Sequence, residues 1–156
     1  MRKNSTLFLQ IVIVTLGIGA LAFMLWEPHI EDRNANATLF EMYFNDSFLV
    51  YAYTASIAFF VALYQAFKLF GRIGRGEVFS EASVKALRTI KYCATTVVAF
   101  AMGAEIYLFI VRPDDDIAGG VFMGLLLIAV SGIISIVADR FARKLQSDVD
   151  GNPRKT

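Results

Sequence analysis

The sequence predicts an all-α integral membrane protein, a four-helix bundle with a short cytoplasmic amphipathic helix running into the third span. Three observations predict this class. Hydrophobic residues make up 56% of the 156-residue chain, more than a typical soluble domain contains. The chain contains four apolar runs of membrane length, and nearly all charged residues lie outside these runs. The net charge of +1 therefore hides a strong separation of charge along the sequence.

The four apolar runs lie at about 7–26, 48–67, 92–111 and 117–138. A helix of about 20 residues is about 30 Å long, which matches the hydrocarbon thickness of a bilayer. Small residues in the fourth run, Gly120-x-x-x-Gly124 and Ser131-x-x-x-Ser135, are typical of closely packed membrane helices. The length of the chain leaves room for a single transmembrane domain, residues 1–156.

The first apolar run has two interpretations. Arg2 and Lys3 before it, together with the alanines of Ala20-Leu21-Ala22, resemble a signal peptide with its cleavage site. The run continues past that site to Trp26, where an aromatic interface anchor belongs. This continuation favours a retained span, and cleavage stays the alternative.

Basic residues set the expected orientation. Of the 15 Lys and Arg residues, only Arg33 and Arg112 fall in the segments 27–47 and 112–116. All the others lie in the N-terminal head (residues 1–6), in the middle loop (residues 62–94) or in the C-terminal tail (residues 139–156). Because cytoplasmic loops carry an excess of Lys and Arg, we expect a multi-pass protein of the cell membrane with both termini and the middle loop in the cytoplasm.

The middle loop holds most of the candidate contact residues. We expect the glycines and arginines at 71–76 to form a flexible turn against anionic lipid, since their spacing is not that of a nucleotide-binding loop. Ser80 is the expected cap of a helix whose apolar edge is Val84, Leu87 and Ile90. That edge faces the bundle, the lipid interface or a partner. The candidate contacts with a partner or with lipid headgroups are Arg72, Arg75, Lys85, Leu87, Arg88 and Lys91.

Glu105 is an acidic residue inside an apolar run. It lies six residues before Val111, or about 9 Å from the expected outer end of the third span. A carboxylate inside a membrane is costly and by default indicates a functional site. The alternative is a carboxyl that is protonated, or that reaches a tyrosine or water near the surface.

The sequence lacks the patterns of enzymes and metalloproteins. Cys93 is the single cysteine, which excludes an intramolecular disulfide and a multi-cysteine metal site. No nucleophile–base set or cofactor motif is present. We therefore expect no catalytic residue, no cofactor and no direct binding of nucleic acid. The expected partners are the lipid bilayer, a cytoplasmic or membrane protein, and a second copy of the chain.

Several motifs resemble those of domain-of-unknown-function family 2975, a family of small prokaryotic four-span membrane proteins. They are TLFL at 6–9, ALYQAFKL at 62–69, FSExSVxAL at 79–87, IKYCA at 90–94 and the aspartate pair at 115–116. The Phe-Ser-Glu helix start is the specific part of this pattern, and Glu105 is not included in it. The resemblance implies four spans, no established activity and, because members are often encoded beside small helix-turn-helix regulators, a role in regulation.

Two functional hypotheses follow, beside a third, a membrane enzyme, that no motif in the sequence supports. The first is a non-enzymatic regulatory or partner-binding membrane module, because the helix that begins after Ser80 is continuous with a span. The alternative is a small transporter or a transporter subunit that uses Glu105 and requires dimerisation to form a pathway.

Overall fold

The computed structural model describes residues 3–30, 47–111 and 118–151, and four helices account for nearly all of them. These helices are α1 (Lys3–Ile30), α2 (Ser47–Gly74), α3 (Glu81–Val111) and α4 (Ala118–Gly151). Each is long and apolar enough to cross a membrane. The predicted four-helix membrane bundle is therefore confirmed. The expected outer loops, and the aspartate pair at 115–116, fall largely or wholly outside the described residues.

The helices pack in chain order, with α1 on α2, α2 on α3, and α3 on α4. The interface between α3 and α4 is the most extensive of the three. It is antiparallel, because α3 begins where α4 ends. Of the candidate residues, Arg88, Lys91 and Glu105 make contacts across this interface.

α1 is held against the end of α2 by a close approach at a glycine. The Thr6 side chain is buried, and a Cβ placed on Gly74 would lie 3.3 Å from its Oγ1. One turn further along α1, Gln10 Nε2 donates a hydrogen bond to the Phe67 carbonyl at 3.2 Å. A methyl group at position 74 would therefore make a tight contact with Thr6, which would have to shift by a few tenths of an ångström.

The segment 71–76 differs from its predicted structure. A flexible turn was expected there, yet residues 71–74 form the last turn of α2. The helix ends at Gly74, and Gly76 in the following turn has a φ of 79°, in the left-handed region that favours glycine. Gly76 N–H donates to the Ile73 carbonyl at 3.1 Å, and Glu77 N–H donates to the Arg72 carbonyl at 2.9 Å. This pair of bonds is a Schellman motif, which satisfies carbonyls that a helix end leaves free.

Both α3 and α4 are longer than a bilayer requires. With 31 and 34 residues, they are about 46 and 51 Å long, against a hydrocarbon core of about 30 Å. As predicted, the amphipathic part of α3 runs without a break into the third span. The segments 72–91 and 139–151 lie beyond the apolar runs at this end of the protein and are called the basic end below. The first segment includes the end of α2, its connection to α3 and the start of α3.

Candidate functional site in the interface between α3 and α4

Ser80 occupies the N-cap position of α3. Its Oγ accepts a hydrogen bond from Ser83 N–H at 3.3 Å and donates one to the Glu77 carbonyl at 3.1 Å. Ser83 is 0% exposed, and its Oγ lies 3.0 Å from Ser80 Oγ. The Ser80 hydroxyl thus binds one of the backbone N–H groups that the start of a helix leaves unpaired. In addition, Arg72 Nη1 donates to the Ala82 carbonyl at 2.9 Å, which joins the end of α2 to the first turn of α3.

The apolar edge of α3 faces the interior of the protein. Val84 and Ile90 are buried, and Ile90 belongs to a cluster with Leu69, Ala86 and Ala138. Leu87 is half-buried and packs against the same cluster. Of the three expected destinations for this edge, the contacts match the bundle. The Leu87 side chain is therefore largely used in packing between helices.

Most of the basic candidate residues have partners within the chain. Arg75 Nε pairs with Glu77 at 3.3 Å on an exposed surface. Arg88 Nη2 donates to Gln146 Oε1 on α4 at 3.3 Å. Lys85 is exposed, and its ammonium group has no partner among the described residues. Of the basic residues on α3 at the basic end, Lys85 is therefore the one whose charged group is most available to a partner outside the chain.

Lys91 forms an ion pair between α3 and α4. Its Nζ lies 2.9 Å from Asp139 Oδ1, and Arg143 binds the other oxygen of the same carboxylate at 2.8 Å. Asp139 directly follows the charge-free part of α4. One turn further into the bundle, Thr95 Oγ1 and Ser135 Oγ are 2.9 Å apart. Polar pairs therefore hold the two helices together where they leave the apolar segment.

Glu105 lies in the same interface, nearer its opposite end. The residue is 9% exposed, so its side chain is buried against α4. A Cβ on Gly124 would overlap its Oε1, so the missing side chain at position 124 leaves the space for the carboxyl group. Gly120, one turn away, is approached by Leu108 Cδ1. Both glycines of the predicted packing motif thus contact α3, as expected for small residues between membrane helices.

The Glu105 carboxyl is not fully hydrogen-bonded. Its Oε2 is buried and has no hydrogen-bond partner within the described part of the chain. Unpaired buried polar oxygens are rare and costly. Among the described residues, no group of three His, Cys, Asp or Glu side chains could hold a metal ion. Glu105 is thus a single buried carboxyl set in a glycine notch.

Tyr51 is a structural residue whose role the sequence does not indicate. Its Oη donates a hydrogen bond to the Phe100 carbonyl at 2.8 Å. The two rings are 4.9 Å apart, and the Tyr51 hydroxyl fills the space where Gly103 has no side chain. A glycine inside an apolar run is the one signal that could have indicated this contact between α2 and α3.

Four apolar helices, packed in chain order and each long enough to cross a membrane, define a helical integral membrane protein. The model of the family described as protein of unknown function (DUF2975) matches residues 12–146, and the chain belongs to this family. The chain is 34% identical over 151 residues to the uncharacterised membrane protein YoaS of Bacillus subtilis (strain 168), covering 96% of this chain and 94% of that one. No solved structure matches the chain.

Proposed function

We propose that this chain is a non-enzymatic regulatory module of the cell membrane and that its basic end binds a protein partner in the cytoplasm. The observation that carries this proposal is the continuation of α3 and α4 past the bilayer as a packed pair. Alanines at positions 86, 138 and 142 are buried there, so the two helices lie close together. A change in the packing of two spans would therefore move a surface outside the membrane.

The outer surface of the basic end combines cations with an aromatic ring. Lys85, Arg140 and Lys144 are exposed, and Phe141 is 61% exposed. Aromatic and basic side chains together favour a partner that has acidic groups around an apolar pocket. Anionic lipid headgroups attract the same cations, so the test has to separate a protein partner from lipid.

A photoreactive amino acid at position 141 tests the proposal. Phe122 is the matched control, because it lies on the same helix, is 66% exposed and belongs to the apolar segment. In native membranes we expect a discrete protein adduct from position 141 and none from position 122. Adducts from both positions would indicate contacts inside the bilayer, and adducts from neither would contradict the proposal.

Charge substitutions distinguish a protein partner from lipid. Lys85→Gln combined with Arg88→Gln removes two cations and leaves the Phe141 ring in place. Lipid attraction depends mainly on charge and should weaken. Arg140 and Lys144 remain beside Phe141, so we expect the protein adduct at position 141 to survive this double change. Leu87→Glu is a poor test of partner binding, because Leu87 packs against the cluster around Ile90.

The cytoplasmic location of the basic end is part of the proposal. It is supported by the concentration of Lys and Arg residues in the head, the middle loop and the tail. In a Cys93→Ala background, an impermeant thiol reagent applied from outside should label Arg33→Cys and leave Arg75→Cys unlabelled. The reverse result would place the basic end outside the cell and remove the cytoplasmic partner.

A second candidate function is a small transporter, or a subunit of one, that uses Glu105. The buried, incompletely hydrogen-bonded carboxyl favours it, since intramembrane acids mark proton and ion pathways. One bundle of this size needs a second copy to enclose a pathway. Proton-coupled flux in vesicles that is lost in Glu105→Gln would support transport, and flux that is unchanged would exclude a role for this carboxyl.

A further inference from the structure

The Glu105 carboxyl combines three properties that are rarely found together in one polar group. It is 9% exposed, it lies inside an apolar span, and its Oε2 has no hydrogen-bond partner among the described residues. Its other oxygen occupies the space left by the missing side chain of Gly124. A negative charge in such a place would need a cation or several hydrogen-bond donors.

The elements packed around Glu105 offer no such charge within the described residues. On α4, residues 118–138 contain no charged side chain. On α2, the titratable group near this level is Tyr51, whose hydroxyl already donates to the Phe100 carbonyl. On α3 itself, Tyr107 is the nearest titratable neighbour in sequence. Arg112 and the aspartates at 114–116 lie outside the described residues.

From this geometry we infer that Glu105 is a proton-binding site, with its carboxyl neutral at neutral pH while α3 and α4 are packed together. The neutral group carries no charge to be compensated, and its small size fits the notch at Gly124. Ionisation then requires water or a cation to enter between the helices. Proton binding at Glu105 thereby favours the state in which α3 and α4 are packed together, whether the chain regulates a partner or transports a solute.

Infrared spectroscopy of the intact protein in lipid vesicles measures this protonation directly. A protonated carboxyl gives a C=O stretching band that shifts in D₂O, whereas an ionised carboxylate does not. At neutral pH we expect such a band in the wild-type protein and its loss in Glu105→Gln. Glu77→Gln is the matched control, because the Glu77 side chain is exposed and its substitution should leave the band unchanged.

The salt composition separates a proton from an alkali cation. We expect the same band in potassium, sodium and choline buffers, since a bound proton leaves no charge for these ions. A band that appears only in choline would assign the site to an alkali cation and overturn the inference. A band absent from the wild-type protein in all buffers would also overturn it. If the band then appeared in Arg112→Gln, an ion pair between Arg112 and Glu105 would be the reason.

Discussion

The two ends of the interface between α3 and α4 solve the same packing problem in opposite ways. At the basic end, Lys91 meets Asp139 at 2.9 Å and Arg88 meets Gln146 at 3.3 Å. At the other end, Glu105 lies against Gly124, and one of its oxygens has no partner among the described residues. Near water, a charge is stabilised by an opposite charge; inside the apolar segment, a glycine supplies space and no charge.

This difference implies different behaviour when conditions change. The contacts of the basic end include several hydrogen bonds and an alanine-rich core, so losing one polar pair leaves the others in place. The site of Glu105 depends on one small residue and on the state of one carboxyl group. We therefore expect the basic end to act as a fixed connection and the Glu105 end to respond to its surroundings.

The largest effect at the basic end is expected from its core. Ile90→Ala should lower the free energy of unfolding by about 2–5 kcal/mol, because it leaves a cavity between α3, α2 and α4. The matched control is Ile106→Ala on the same helix, where the side chain is 57% exposed, against 8% for Ile90. Unfolding in mixed micelles measures both, and equal losses would contradict a core at the basic end.

Removing the helix cap should have a smaller effect. Ser80→Ala deletes the side-chain acceptor of the Ser83 N–H, leaves its bond to the Ser80 carbonyl, and should cost about 1 kcal/mol of unfolding free energy. Ser147→Ala, at an exposed position of α4, serves as the control and should be nearly neutral. Hydrogen exchange at the first turn of α3 should rise in Ser80→Ala alone. An unchanged exchange rate would show that the cap is not needed to form this end of the helix.

The smallest effect is expected from the ion pair. Lys91→Gln removes the contact with Asp139, whose two partners are Lys91 and Arg143. Both members of the pair are partly exposed, so we expect a loss of about 0.5 kcal/mol that decreases in high salt. Lys85→Gln should leave stability unchanged because no described residue pairs with Lys85. Equal losses would mean that net charge, rather than the pair, determines the effect.

The number and the class of the helices could be read from the sequence because they depend on length and polarity alone. Four apolar runs and the Phe-Ser-Glu helix start lead directly to the four helices and to the cap at Ser80. The spacing of Gly120 and Gly124 also indicates a close contact between helices, but it does not indicate which helix they meet. These features are local, and each needs only a few neighbouring residues to be recognised.

The features that the sequence did not indicate depend on contacts between distant segments. The glycines at 71 and 74 look like a flexible turn, but they continue a helix because α1 packs against them. The bond from Tyr51 to Phe100 needs two spans in register. The burial of Glu105 could not be predicted either, because it requires Gly124 to face that side chain across the interface.

The central claim is that Glu105 occupies the space left by Gly124, and a double-mutant cycle between these positions tests it most directly. Gly124→Ala should cost about 1–3 kcal/mol in the wild-type protein, because the new methyl group overlaps the carboxyl, and almost nothing in a Glu105→Ala background. Gly132→Ala, where a Cβ meets no atom within 4 Å, should be nearly neutral in both backgrounds. A strong coupling between positions 105 and 124 is the predicted result, and equal, additive losses in the two backgrounds would contradict the claim.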